Sequence, residues 1–298
     1  MQEELRELAR QKNALVIAHN YQRPEVQDAA DFTGDSLELS RIAAGTDAEI
    51  ILFCGVHFMA ETAHILSPQK KVLLAEIKAG CPMADMITAD DLRKMKAEHP
   101  EALVVAYVNT SAAVKAETDI CCTSANAATV VSNIPGDREI IFVPDRNLGL
   151  YVEKKTGRKL IKWDGFCPTH EYIAAEDILK AKAEYPGALV VAHPECLPEV
   201  QDLADSLEST SGMIRFAKQS SAREFIIATE MGLNHRLKKE NPDKEFISPT
   251  KKAICPNMKM TTLPKAVETL RQERYEIRLD EEVRLKALAA VEAMVSYT

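Results

Sequence analysis

Three cysteines recur at one spacing along the chain. Cys81, Cys167 and Cys255 lie 86 and 88 residues apart, and proline follows each of them. The chain has seven cysteines, and the remaining four have no counterparts at this spacing: Cys54, Cys121, Cys122 and Cys196. An odd number of cysteines in a long chain favours metal ligation or free thiols over a disulfide framework.

Three thiolates suit two kinds of metal centre. One is a zinc ion with an open fourth position. The other is a cubane iron–sulfur cluster, which four cysteines normally hold, so that three would leave one iron free as a Lewis acid for a substrate hydroxyl or carboxylate. Buried structural thiols explain a single cysteine well but three in register poorly. The lack of CxxC or HxxxH pairs favours iron–sulfur over zinc.

Polar residues recur where the first strand of each repeated segment is predicted to end. The first recurring position holds His19, Tyr107 and His193, and the position two residues later holds Tyr21, Asn109 and Glu195. Open α/β sheets bind ligands at the carboxyl ends of their strands. A polar strand end without a ligand explains any one of these residues equally well. Their recurrence in threes favours one cavity with an acid/base set of histidine, tyrosine and glutamate.

A hydroxyl residue lies seventeen positions after the first recurring position of each segment. These hydroxyl residues are Ser36, Ser124 and Thr210. Helical sequence follows each hydroxyl, so we expect these residues to be helix N-caps. A cap alone would explain one of them. Three hydroxyls with free backbone N–H groups, facing one axis, would hold several carboxylates or a phosphate.

These positions belong to three copies of one unit. Residues 89–109 and 175–195 match in type at nearly every position, and residues 1–21 fit the same pattern. One acidic position also stays in register, as Asp31, Asp119 and Asp205. Each unit reads as helix, strand, helix, strand, helix, strand and loop. The strands are short and rich in Val, Ile and Leu, which indicates parallel strands covered on both faces and joined by helical crossovers.

We therefore predict an α/β protein made of three pseudo-threefold-related, three-layer α/β/α domains around a central active site, each domain with a short parallel sheet. The predicted boundaries are 1–87, 88–173 and 174–261, followed by a C-terminal helical extension over 262–298.

Composition excludes several functions for this 298-residue chain. A net charge of −8 argues against nucleic acid as a partner, because backbone binding needs clustered Lys and Arg. The apolar runs are too short to cross a membrane, and the N-terminus lacks the basic start and cleavage site of a signal peptide. We expect a cytoplasmic protein with no membrane partner.

Ten short motifs together resemble one family along the whole chain: AHNYQ, GDS, GCPM, YVNT, CTSANA, PDRNLG, CPTH, HPEC, STSGM and CPNM. The family is quinolinate synthase, the A protein of de novo NAD biosynthesis. The resemblance implies a [4Fe-4S] cluster on Cys81, Cys167 and Cys255. It also implies condensation of iminosuccinate (iminoaspartate) with dihydroxyacetone phosphate to give quinolinate, phosphate and water. No cysteine follows Cys255, so the C-terminal CxxCxxC motif of some members, and its proposed redox control, should be absent.

The same resemblance implies a substrate-binding set of His19, Ser36, Tyr107, Val108, Asn109, Ser124, His193, Pro194, Glu195 and Thr210. Our hypothesis is that Tyr21 and Glu195 move protons, while His19 and His193 orient and neutralise the anion. Functional coupling is expected to the L-aspartate oxidase or dehydrogenase that supplies iminosuccinate. Two alternatives remain at this point: another iron–sulfur or zinc hydro-lyase for a hydroxy-dicarboxylate, or a non-catalytic iron–sulfur sensor.

Overall fold

A computed structural model of the chain describes residues 1–296, which form fifteen α-helices and twelve β-strands. The strands make three separate parallel sheets of four strands each. This arrangement confirms the predicted α/β class with three α/β/α units. Each sheet lies within one of the three predicted ranges, although the boundaries themselves stay predictions.

The first unit has the strand order β2-β1-β3-β4. Its strands are β1 (Ala14–His19), β2 (Phe32–Gly34), β3 (Ile50–Cys54) and β4 (Lys71–Leu74). Its helices are α1 (Gln2–Gln11), α2 (Pro24–Ala29), α3 (Ser36–Gly45) and α4 (His57–Leu66).

The second unit repeats this order as β6-β5-β7-β8. Its strands are β5 (Leu103–Tyr107), β6 (Ile120–Cys122), β7 (Ile140–Val143) and β8 (Ile161–Lys162). Its helices are α5 (Ala89–Glu98), α6 (Ala112–Lys115), α7 (Ala127–Ser132), α8 (Arg146–Thr156) and α9 (Pro168–Glu171).

The third unit has the order β10-β9-β11-β12. Its strands are β9 (Leu189–Ala192), β10 (Ser206–Leu207), β11 (Glu224–Ala228) and β12 (Glu245–Ile247). Its helices are α10 (Ala175–Glu184), α11 (Pro198–Asp202), α12 (Thr210–Gln219) and α13 (Leu233–Glu240).

The prediction of three strands per unit was wrong, since each sheet has a fourth strand at one edge. The missed strands are β2, β6 and β10, which contain only two or three residues. Edge strands this short contain no apolar run that would mark them in the sequence.

The repeated aspartates fix the first strand of each unit. Oδ2 of Asp31 accepts the backbone N–H of Val16 at 2.8 Å, and the backbone N–H of Asp31 donates to the carbonyl oxygen of Val16. Oδ2 of Asp119 likewise accepts the backbone N–H of Val104 at 2.8 Å, and Oδ2 of Asp205 accepts that of Val190 at 2.8 Å. This recurring residue therefore serves the fold.

The strand order fixes where a ligand can bind. In every unit the chain leaves the first strand toward one neighbour and returns on the other side as the third strand. The first and third strands are therefore neighbours, and open parallel sheets bind ligands in the crevice at the carboxyl ends of such a pair. His19 and Tyr107 end β1 and β5, and His193 follows β9 directly.

The C-terminal segment docks on the first two units. Helix α14 (Leu263–Gln272) packs on α1, and residues 275–277 pair with the exposed edge of β4 through an antiparallel bridge between Glu276 and Leu73. Helix α15 (Glu281–Ser296) packs against α3, α4, α6 and β6, so its buried face joins the largest apolar cluster. Within residues 1–296, none of the helices combines the length and the apolar character needed to cross a bilayer.

Candidate active site

One cavity lies where the three units meet. Twelve of the residues predicted from the sequence line it: His19, Tyr21, Ser36, Cys81, Tyr107, Asn109, Ser124, Cys167, His193, Glu195, Thr210 and Cys255. Val108 and Pro194 are adjacent in sequence to lining residues but do not line the cavity. Val108 packs in the apolar core, and the carbonyl oxygen of Pro194 accepts from Gln201. Their place in substrate binding stays a prediction.

Each Cys-Pro pair opens a single turn of helix. These turns are Ala84–Met86, Pro168–Glu171 and Met258–Met260. Backbone N–H groups two or three residues after each cysteine donate toward its sulfur, from Met83 and Ala84 to Cys81, from His170 to Cys167, and from Asn257 and Met258 to Cys255. Pro168 is the first residue of its turn, whereas Pro82 and Pro256 come two residues before theirs, and in all three places the proline has no N–H to donate to the sulfur.

The three thiols would be protonated without a bound cation. Burial raises the pKa of the Cys81 thiol to about 12, and burial likewise raises the pKa values of Cys167 and Cys255. The charges of the three sulfurs also disfavour one another. A thiol of this kind is a poor nucleophile, whereas metal coordination deprotonates it outright. The local chemistry therefore fits metal ligands better than reactive cysteines.

A buried ion pair fixes the Cys255 turn beside the first unit. Glu230 is fully buried, and its Oε1 accepts the backbone N–H of Cys255 at 3.1 Å. Nζ of Lys259 lies 2.9 Å from the same oxygen and also donates to the carbonyl oxygen of Tyr21. The pair holds the third cysteine in register with the end of β1.

The cysteines are spaced too widely for one zinc ion. Within residues 1–296, at least two of these three sulfurs lie more than 4.8 Å apart. Two thiolates on one zinc ion can be at most about 4.6 Å apart, because each Zn–S bond is about 2.3 Å. A set of donors that does lie within 4.8 Å is Cys167, His170 and Glu195.

His19 and His193 are neutral hydrogen-bond donors. Nδ1 of His19 accepts the backbone N–H of Tyr21 at 3.1 Å, and Nδ1 of His193 accepts that of Glu195 at 3.3 Å. The ring proton of each neutral imidazole therefore sits on Nε2. Burial lowers the pKa of both histidines to about 3. They therefore offer N–H groups to an anion, and their role in orienting and neutralising it stays a prediction.

The predicted N-caps are not the capping residues. Asp35 caps α3 and Ser209 caps α12, so Ser36 and Thr210 are the first helical residues. Ser124 precedes α7 and lies 3.1 Å through its Oγ from Nε2 of His193. All three hydroxyl residues line the cavity.

Glu195 is the buried acid of the site and is 3% exposed. Its Oε1 accepts a hydrogen bond from the Tyr107 hydroxyl, and its Oε2 lies 2.8 Å from Nδ1 of His170, a close contact that is not aligned as a hydrogen bond. Burial opposes ionisation of Glu195, but the adjacent His170 and His193 and the Tyr107 hydrogen bond outweigh burial and lower its pKa. Burial, followed by the charge of Glu195, raises the pKa values of Tyr21 and Tyr107 well above 10.

The sequence reasoning missed His170 and Thr229. Nε2 of His170 lies 2.8 Å from the Thr229 hydroxyl, which lies 2.6 Å from the hydroxyl of Tyr21. His170 also stacks on His193 with ring centroids 4.7 Å apart. A row of polar groups therefore runs from Tyr21 to Glu195 across the units. A marker for His170 was present, because the positions three residues after the other two cysteines hold apolar Ala84 and Met258.

Comparison with known proteins identifies the family. A family model described as quinolinate synthetase A protein matches residues 3–296. The chain belongs to this family. It is 55% identical over 293 residues to the quinolinate synthase of Desulforudis audaxviator, covering 98% of this chain and 97% of the relative. It is 56% identical over 295 residues to that of Thermodesulfovibrio yellowstonii, covering 99% and 97%.

A third relative is similar to nearly the same extent. Quinolinate synthase 1 of Methanosarcina acetivorans is 53% identical over 292 residues, which cover 98% of this chain and 96% of the relative. The resemblance predicted from the motifs is thus confirmed, and the chain is an enzyme of the quinolinate synthetase A family. This finding removes the non-catalytic sensor as an alternative.

Proposed function

We propose that the chain condenses iminosuccinate with dihydroxyacetone phosphate to give quinolinate, phosphate and water, with a [4Fe-4S] cluster held by Cys81, Cys167 and Cys255. The observation that carries this proposal is the convergence of one cysteine from each unit on a cavity whose other walls offer anion-binding donors. Family membership supports quinolinate synthesis, and the lining of the cavity supports the proposed roles of its residues.

Three features of the chain suit a cubane cluster. Each sulfur receives backbone N–H donors, a contact that tunes iron–sulfur centres. The sulfurs are spread more widely than a single ion allows. Three protein ligands would leave one iron open, and a bound cluster would supply a Lewis acid for a hydroxyl or carboxylate of the substrate.

Neutral donors would hold the dicarboxylate. None of the residues that line the described cavity is lysine or arginine. The donors are instead the Nε2–H groups of His19 and His193 and the hydroxyls of Ser36, Ser124 and Thr210. Oδ1 of Asn109 is buried without a hydrogen-bond partner, so it can accept from a substrate hydroxyl or from the imine N–H. These groups would orient both carboxylates and the phosphate in a water-poor site.

Proton transfer would centre on Glu195. Its carboxylate is the ionised acceptor of the site, so it is suited to take a proton from a substrate carbon or hydroxyl. Tyr21 and Tyr107 keep their protons and act as donors to developing oxyanions. The row through Thr229 and His170 gives Tyr21 a route by which its proton can be replaced.

The imine substrate constrains the supply step. Iminosuccinate hydrolyses in water, so an enzyme that oxidises L-aspartate must deliver it promptly. We therefore propose functional coupling to an L-aspartate oxidase or dehydrogenase.

One other chemistry has an observation in its favour. Cys167, His170 and Glu195 could together hold a single metal ion, as a hydro-lyase acting on a hydroxy-dicarboxylate would require. Such an ion needs no inorganic sulfide, and it would use Glu195 as a ligand instead of a base.

Anaerobic reconstitution with iron and sulfide tests the proposal. The reconstituted protein should contain about four iron and four sulfide ions per chain, and it should form quinolinate and phosphate in equal amounts from dihydroxyacetone phosphate and freshly generated iminosuccinate. One metal ion per chain without sulfide would favour the hydro-lyase. A full cluster without quinolinate would contradict the proposed reaction.

A further inference from the structure

One buried position breaks the threefold pattern of the chain. Four residues before the recurring aspartate, the first and third units have Gln27 and Gln201, whereas the second unit has Lys115. All three side chains are buried, and Lys115 is fully so. The chain thus replaces a neutral amide by a cation in one unit only.

The two glutamines show what the fold requires at this position. Nε2 of Gln27 donates to the carbonyl oxygens of Asn20 and Gln22 in its own unit and to that of Gly232 in the third unit, at 2.9–3.1 Å. Gln201 repeats the pattern with the carbonyl oxygens of Pro194, Cys196 and Asn147. A neutral amide therefore suffices to close the loop after the first strand and join it to the next unit.

Lys115 occupies the equivalent place between the second and first units. Its Nζ donates to the carbonyl oxygen of Thr110, five residues earlier, as Gln27 does to Gln22. The same Nζ lies 5.4 Å from the centroid of the Phe58 ring, a cation–π contact. Phe58 and Cys81 both line the central cavity. The cation thus sits directly behind the cavity wall that carries one of the three cysteines.

A buried charge is costly where an amide would do. Burial lowers the pKa of the Lys115 ammonium group, and the charges of Cys121, Glu61 and Cys81 oppose this effect. Since the backbone contacts do not require the charge, its counterpart must be sought among these neighbours. Glu61 is one counterpart, as a buried carboxylate, and metal binding would add Cys81 as a permanent thiolate, which makes the centre in the cavity another.

We propose that Lys115 is a built-in positive charge that tunes the electron affinity of the metal centre on Cys81, Cys167 and Cys255. Three thiolates leave a cubane cluster with net negative charge, and net charge and burial set its reduction potential. A fixed cation nearby raises that potential and draws electron density from the open iron. A bound cluster would then hold an anionic substrate more tightly, in a cavity whose lining contains neither lysine nor arginine.

The inference rests on the proposed cluster, and Lys115→Gln tests it because the fold itself uses glutamine at the two equivalent positions. The potential of the reconstituted cluster is measured by anaerobic redox titration with electron paramagnetic resonance. The reduction potential of the cluster should be lower in K115Q. At a given solution potential the ratio of reduced to oxidised cluster should fall about tenfold, which corresponds to a shift of about 59 mV for a one-electron couple. K115R should keep the parent potential. Lys94→Gln removes an exposed lysine whose side chain is 76% exposed, and it should leave the potential unchanged.

Each outcome decides between the two proposals. Equal potentials in the parent protein and K115Q, with equal iron and sulfide content, would overturn the role of Lys115 and leave the proposed function standing. A parent protein that takes up no cluster would overturn both. If K115Q does not fold, Lys115→Met provides the same test, and an unshifted potential in it would equally overturn the inference.

Discussion

The hydroxyl of Tyr107 donates a hydrogen bond to the buried carboxylate of Glu195, 88 residues away in the next unit. Tyr107 ends β5 and Glu195 lies just beyond β9, so the two residues hold adjacent but different recurring positions of the repeat. The contact therefore closes the boundary between two units at the wall of the cavity. It also helps to keep Glu195 ionised although the side chain is almost fully buried.

Replacing Glu195 by glutamine should slow quinolinate formation by about 100-fold or more, the usual contribution of a general base. The amide keeps the shape of the side chain but cannot accept the proton. The initial rate should be measured per reconstituted cluster, because the variant should bind iron and sulfide normally. Tyr107→Phe is the matched comparison, and its loss should be smaller since the carboxylate remains. Full activity in E195Q would refute the assigned proton transfer.

The recurring aspartates should contribute to stability without affecting the metal centre. Substituting Asp31, Asp119 or Asp205 by alanine removes one hydrogen bond to the first strand of its unit, and each change should lower the free energy of unfolding by about 1 kcal/mol. Urea denaturation measures this loss. Iron and sulfide contents should equal those of the parent protein. A variant that lost its cluster while keeping full stability would show that its aspartate serves the site instead.

Glu273 should stabilise the C-terminal segment in a pH-dependent manner. Its carboxylate bonds Lys12, which follows α1, at 2.5 Å and Lys71 of β4 at 2.6 Å, and these hydrogen bonds lower its pKa from 4.5 to about 2. A lowered native pKa contributes stability that is complete above the unfolded value of 4.5 and is lost as the pH falls through the native value of about 2. Glu273→Gln should therefore cost about 1 kcal/mol at pH 7, since the pair is only partly buried.

Chemical denaturation of the parent protein and Glu273→Gln side by side measures this dependence. The difference in their free energies of unfolding should shrink as the pH falls from 4.5 to about 2. Glu282→Gln removes a highly exposed carboxylate paired with Lys286 four residues later, and it should change stability little at any pH. A cost in E273Q that stayed constant down to pH 2 would mean that the charge of Glu273 is not what stabilises the segment.

Repetition made much of the fold and site predictable. The offsets of Cys81, Cys167 and Cys255 predicted convergence because equivalent positions on equivalent units face the same axis. Repetition fails where a unit departs from the pattern. His170 has no polar counterpart in the other units, so symmetry gave it no support, and its contact with Glu195 depends on how the units pack.

Local chemistry explains the remaining differences. The sequence suggests Ser36 and Thr210 as N-caps. The residues before them, Asp35 and Ser209, are the caps, because their side chains accept the backbone N–H groups of the first helical turn. The neutral state of His19 and His193 follows from burial and from the N–H groups that point at Nδ1, neither of which a sequence shows. The docking of α15 across two units likewise depends on tertiary packing alone.

One thiol from each unit should hold a shared metal centre, and iron and sulfide quantification on seven Cys→Ala variants shows whether it does. After anaerobic reconstitution, substitutions at Cys81, Cys167 and Cys255 should each abolish or severely reduce the content of both elements. Substitutions at Cys54, Cys121, Cys122 and Cys196, which are buried outside the cavity lining, should leave the full content. Full cluster content in any of the first three variants would contradict the account.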